Sequence, residues 1–157
     1  MKASDWIKRL KMSEHPEGGY YAELYRSHVS LSAEDIERSL ATSIYYLLES
    51  GDISHWHQLA SDELWYYHAG SELVVHLFVD GIYEQHIVGL SENAKPQLVI
   101  PAGAVFSAEV KEDENYGLVG CMVSPGFDFE DFRLVSAEEL MDIFPEQAEL
   151  IKAFAAK

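Results

Sequence analysis

From Leu40 onward the chain is cut into short apolar or alternating segments: ATSIYYLL, ISHWHQL, ELWYYHAG, ELVVHLFV, YEQHIV, QLVIP, AVFSAEV and YGLVGCMV. The breaks ESGD, VDG, GLSENAKP, PAG and KEDEN fall between them. Many short strands at roughly regular spacing, separated by turn chemistry, argue for an antiparallel sandwich or barrel, so the body is predicted to be all-β.

The two ends read differently. SDWIKRLKM (4–12) predicts a short amphipathic helix, with Ser4 and Asp5 at its start and Trp6, Ile7 and Leu10 on one face. The proline and paired glycines of SEHPEGG stop it, and GYYAELYRS leaves as an aromatic-rich strand. SAEDIERS (32–39) reads as a polar connection with one helical turn. In SAEELMDIFPEQAELIKAFAAK, apolar residues from Leu140 to Phe154 recur at helical intervals, with Ser136 as a cap and Glu139 three residues on. Pro145 divides this stretch into two short helices. The expectation is one domain over 1–157, with a β core at about 18–134 and a helical segment at about 136–156.

Acidic residues outnumber basic ones 27 to 11, and the net charge of −16 repels phosphate backbones and anionic membranes. Nucleic-acid and membrane partners are therefore not expected. The apolar runs fall well short of the roughly 18 residues that a spanning helix needs. A single cysteine, Cys121, forms no internal disulfide and reads as a small buried hydrophobe. With no secretory-type leader at the start, the expectation is a cytoplasmic protein.

The chemistry concentrates in GDISHWHQLASDELWYYHAG (51–70). On a regular strand His55 and His57 project together, about 7 Å apart at Cα, with Trp56 on the other face. Glu63, on the following strand, offers a third donor, and such a set suits Fe(II), Mn, Ni or Zn. Two hydrogen-bonded histidines lining a polar interior explain the same spacing. A third use is acid/base chemistry without metal, in which His57 titrates near neutrality and Asp62 or Glu63 orients it. Trp65, Tyr67 and Phe106 are candidates for an aromatic cavity wall. Glu17 and Arg26 reach a pocket mouth or pair with each other, and an inward Arg26 offers an anion contact. SPGFDFEDF reads as aromatic packing that closes the barrel. His15, His28, His68, His76 and His86 read as surface or hydrogen-bonded residues.

Gly51, His55, His57, Glu63 and Gly70 resemble the first motif of the cupin superfamily, with a glycine-to-histidine gap shorter by two. IPAGAVFSAEV supplies Pro101 and Gly103 of the second motif, but Phe106 stands where the last ligand histidine belongs. HPEGGYYAELYRS, TSIYYLL, the SHWH to SDELW stretch, PQLVIPAG and GCMVSPGFDFEDFRL together resemble a small single-domain cupin family, over about residues 7–134. That resemblance implies a jelly-roll β-sandwich (a double-stranded β-helix), commonly a homodimer, with a pocket inside the barrel. Within the family pattern His57 and Glu63 recur, the position of His55 is often not histidine, and an arginine often stands at the place of Ala22. No cofactor is favoured; a divalent metal on His55, His57 and Glu63 is the alternative. The expected function is binding of a sugar-, sugar-nucleotide- or nucleobase-like metabolite. Isomerase- or epimerase-like proton transfer by His57 and Glu63 goes with it, and a non-catalytic binding or sensor module is a further alternative.

Overall fold

The computed structural model describes residues 1–33, 36–111 and 115–156. Among the described residues, helix α1 (Ala3–Leu10) leads into thirteen strands, and two short helices, α2 (Ala137–Ile143) and α3 (Ala148–Ala153), follow them. One antiparallel sheet holds β1 (Ser13–Glu14), β2 (Tyr20–Arg26), β5 (Thr42–Glu49), β12 (Tyr116–Ser124), β7 (Asp62–Gly70) and β10 (Gln97–Ile100), in that order. A second holds β13 (Phe132–Leu134), β6 (Ile53–Leu59), β11 (Val105–Val110), β8 (Leu73–Val79) and β9 (Ile82–Val88). Alternate residues of both sheets, among them Tyr46, Leu48, Trp65, Val75, Leu77 and Val119, meet in one buried core between them. This is the cupin-type jelly roll that the segment pattern and the resemblance implied.

The outer faces are covered too. Tyr45 and Leu47 of β5, facing away from the core, pack with Leu118 beneath Trp6, Ile7 and Leu10 of α1. Across the molecule Trp56 and Phe78 pack beneath Leu140, Ile151 and Phe154 of the closing helices, and the Trp56 indole donates to the Ile151 carbonyl at 2.8 Å. With both faces of β8 covered, LVVHLFV is apolar almost throughout rather than alternating. Ser136 caps α2, its hydroxyl accepting from the Glu139 N–H at 3.2 Å, and Pro145 opens the 3-10 turn that separates α2 from α3.

Among the described residues of 32–39 the expected helical turn is not found; β3 (Ser30–Ala33) and β4 (Ile36–Ser39) pair as two antiparallel strands instead. Residues 34 and 35 lie outside the described residues. Among the described residues no helix is long and apolar enough to cross a membrane.

Candidate functional site

A cavity of about 290 Å³ opens at one end of the barrel. Its wall comes from both sheets and from two connecting segments, HPEGG before β2 and PGFDFEDF after β12. The first of these brings in the residue around which the site is built, Glu17.

The HPEGG loop lies directly on the backbone of strands β5 and β6. Its turn is closed by His15 N–H to Gly19 O at 2.9 Å and Gly18 N–H to His15 O at 3.0 Å. Gly18 and Gly19 sit at φ +106° and +71°, a region that side chains with a Cβ rarely adopt. A Cβ on Gly19 would stand 2.6 Å from the Leu47 carbonyl oxygen, and one on Gly18 would run into that of Ile53. The Tyr46 hydroxyl ties the loop down by donating to Gly18 O at 2.8 Å. The paired glycines therefore let the loop approach closely enough to carry Glu17 into the barrel, where it is 6% exposed.

Strand β6 is bulged where the loop meets it. His57 pairs with Phe106 and Ser54 with Ala108, so three steps of β6 oppose two of β11. The N–H of His55, freed from the ladder, donates to Glu17 O at 2.6 Å. A bulge re-aims side chains, and here it separates the two histidines. His57 points into the barrel at 2% exposure, whereas the His55 ring turns to the closing helix, with Nδ1 3.3 Å from Phe154 O. The shared face expected for His55 and His57 is thus corrected.

His57 Nδ1 lies 2.7 Å from the carbonyl oxygen of His55, an acceptor only, so this nitrogen carries a proton. Nε2 lies 2.8 Å from Glu17 Oε2. A neutral ring would aim a lone pair at the carboxylate, so the contact is a hydrogen bond only when a second proton sits between them. Burial lowers the imidazole pKa and raises that of the carboxyl. The attraction and hydrogen bond of the pair outweigh this, leaving His57 raised and Glu17 lowered. The result is a buried imidazolium–carboxylate pair.

Glu63 also lines the cavity and is 7% exposed. Burial, then the negative charge of Glu17, push its carboxyl up to about 7, against the pull of His57 and of hydrogen bonds from Trp65 and Cys121. Trp65 Nε1 donates to Glu63 Oε1 at 3.0 Å. The carboxylate that orients His57 is accordingly Glu17, not Glu63 or Asp62; Asp62 instead accepts from the Ala102 N–H at 2.8 Å. His15, which the sequence left among the isolated histidines, joins this wall. Its Nδ1 accepts from the Glu17 N–H at 3.2 Å, and burial lowers its pKa, so it is neutral with its proton on Nε2.

Of the aromatic residues expected to line the pocket, Trp65 and Phe106 lie behind the acid residues. Phe106 packs its ring 4.0 Å from that of His57. Tyr67 packs half-buried against the core between the sheets and does not line the cavity, its hydroxyl donating to Gly70 O. The rings that do line the cavity are Tyr21, Phe127, Phe129 and Phe132. Arg26 and Glu17 do not pair. A bulge in β2 between Glu23 and Tyr25 brings Arg26 to the side of Glu23, whose carboxylate it grips at 3.0 and 2.7 Å, and its remaining arm donates to Phe127 O at 3.1 Å.

The set His55, His57 and Glu63 does not fit a metal ion. One histidine faces away, both nitrogens of the other are engaged, and Glu63 is held by Trp65 while Phe106 packs against His57. Among the described residues no group of three or more His, Cys, Asp or Glu is arranged to hold one.

A hypothetical protein from Leishmania major superposes on the whole chain with a TM-score of 0.93 at 37% identity, itself covered in full. An uncharacterised protein of Saccharomyces cerevisiae is 28% identical over 92% of this chain and 80% of its own. Oxalate decarboxylase of Bacillus subtilis shares the fold, with a TM-score of 0.59 at 16% identity over 92% of this chain and 37% of the other. Residues 4–135 match the family described as Cupin superfamily (DUF985), so the chain belongs to that family of cupins.

Proposed function

We propose that the cavity binds a small metabolite and that the protein moves a proton on it, as a metal-independent isomerase or epimerase. At about 290 Å³ the cavity lies at the lower end of the roughly 300–1,000 Å³ usual for ligand pockets. It suits a ligand of sugar or nucleobase size better than a whole sugar nucleotide.

One observation carries the reading: two buried carboxyls share the cavity, and their surroundings drive them apart. Glu17 is held ionised by His57, and Glu63 is raised to about 7. Groups separated in this way divide into a base and an acid. Glu17 takes a proton from the metabolite and Glu63 gives one, so the net count is conserved, as an isomerisation requires. His57 keeps Glu17 charged and fixes its direction.

The test is to identify the metabolite released from native protein by mass spectrometry and to incubate it with the protein in D2O. Wild type is expected to wash deuterium into one carbon position, and Glu63→Gln to slow this ~100-fold or more. A retained metabolite that gains no deuterium contradicts the enzyme and supports a non-catalytic binding or sensor module.

We further propose a homodimer through the β3–β4 hairpin. Among the described residues its strands pair only with each other. Leu24, Tyr25, Val29, Leu31, Ile36 and Leu40, on and around it, are 43–61% exposed. Large apolar side chains left exposed on one short segment mark an interface, and a two-fold axis lets that segment cover its own copy. Sedimentation equilibrium is expected to give the mass of two chains, falling to one in Leu31→Glu/Ile36→Glu; wild type at the mass of one chain contradicts it.

A further inference from the structure

The mouth of the cavity is more elaborate than proton transfer requires. Phe127, Phe129 and Phe132 stand there with ring centroids 5.0 to 6.2 Å apart and planes at 60° to 83° to one another, so their faces look in different directions. Phe129 is 53% exposed, a large ring left half in solvent. It is nevertheless fixed in place. Asp128 caps the turn beneath it by accepting from the Glu130 N–H at 2.9 Å. Arg38, reaching over from β4, grips Asp131 at 2.7 and 3.0 Å.

The charges around these rings do not balance. Glu17, Glu23, Glu63 and Asp128 line the cavity against two cations, Arg26 and His57. Both cations are spent: the Arg26 fork is filled by Glu23 and Phe127 O, and His57 is filled by Glu17 and His55 O. Among the described residues lining the cavity, no positive group is left to receive a phosphate or carboxylate. With Glu63 protonated, as the acid of the proposed reaction, three carboxylates against two cations leave one negative charge in a partly enclosed space; with Glu63 ionised, as at pH 8, the surplus is two. Glu63 itself is 7% exposed and lines that space with no cation hydrogen-bonded to it among the described residues.

A negative interior behind a set of differently oriented aromatic faces is the arrangement that attracts an organic cation, because ring faces and carboxylates both favour positive charge. We propose that the metabolite bound here carries an alkylated ammonium group, resting on the half-exposed ring of Phe129 at the mouth beside Phe127 and Phe132, with its remainder directed toward Glu17 and Glu63. This names the substrate class of the proposed site and rests on reading the cavity as a small-molecule site. It disfavours phosphorylated metabolites, sugar nucleotides included.

Three probes of one shape and different charge test it: choline, the neutral alcohol in which tert-butyl replaces trimethylammonium, and the anion tert-butylacetate. Each is titrated at pH 8 into the whole protein, following the NMR signals of Phe129 and His57. Choline is expected to bind at least ~10-fold more tightly than the alcohol, a factor worth about 1.4 kcal/mol, with the anion weakest. Phe129→Ala removes a half-exposed ring and keeps the unfolding midpoint; it is expected to weaken choline ~5-fold and the alcohol less than ~2-fold. An alcohol that binds as well as choline, or an anion that binds best, overturns the cation while the cavity stands as a small-molecule site. If none of the three moves either signal, the cation and the small-molecule site fall together.

Discussion

Gly18→Ala lowers the stability of the protein by at least ~3 kcal/mol and withdraws Glu17 from the cavity. The added methyl meets two penalties. At φ +106° a side chain costs about 1–3 kcal/mol of backbone strain. Its Cβ also runs into the Ile53 carbonyl oxygen, a backbone atom that moves only if β6 moves. The loop must lift, and two hydrogen bonds then lengthen or break: His55 N–H to Glu17 O and Tyr46 hydroxyl to Gly18 O. Each such bond contributes about 1 kcal/mol net. Gly51→Ala is the matched control, since φ there is +87° but nothing lies within 4 Å of the new methyl. It should cost only the strain, about 1 kcal/mol. Urea midpoints of the two variants measure the difference; equal losses would mean that the loop does not lie against β6 as described.

Glu17→Gln destabilises the protein by about 3 kcal/mol near pH 6, because it leaves His57 buried without its counter-charge. The pH dependence follows from the direction of each shift. The lowered carboxyl of Glu17 stabilises the fold above its ordinary 4.5 and loses that contribution as pH falls through its folded value. The raised imidazole of His57 stabilises below 6.5 and loses its contribution as pH rises through its folded value. Glu63 acts in the opposite sense to Glu17. Moved from 4.5 to about 7, it favours folding as pH falls across that interval and costs ~3 kcal/mol once fully ionised above it. Wild type is therefore most stabilised by this site between about pH 4.5 and 6.5 and weakens toward pH 8.5. In Glu17→Gln, burial outweighs the remaining pull of Glu63 and of the His55 carbonyl, so His57 sheds its proton below 6.5 and the difference from wild type is largest on the acid side. Denaturation curves at pH 5.5 and 8 give the comparison.

Much of the architecture is legible in the chain because the core needs alternation. Ile44, Tyr46 and Leu48 point one way and Tyr45 and Leu47 the other, as their spacing requires. The cap at Ser136 and the break at Pro145 are equally local signals. The site is less legible because two bulges break the parity on which such readings depend. One in β6 turns His55 away from His57, and one in β2 places Arg26 beside Glu23. Neither bulge carries a glycine or proline to announce it. Glu17 and His15 arrive from a loop whose glycines signalled a turn, yet nothing local says that the turn lies on β6. The rings of PGFDFEDF, read as packing, line the mouth because Asp128 and Arg38 hold them there. Strands β3 and β4 escaped notice because they are only four residues each and hold two large apolar side chains, Leu31 and Ile36, among polar neighbours.

The charge state of one imidazole decides most, and nitrogen-15 NMR of the His57 ring in native protein at pH 6.5 reads it directly. The paired structure predicts that both ring nitrogens carry protons there, and that Glu17→Gln returns the ring to the neutral form at the same pH. A wild-type ring that is neutral at pH 6.5, with a titration that Glu17→Gln leaves unmoved, would contradict it.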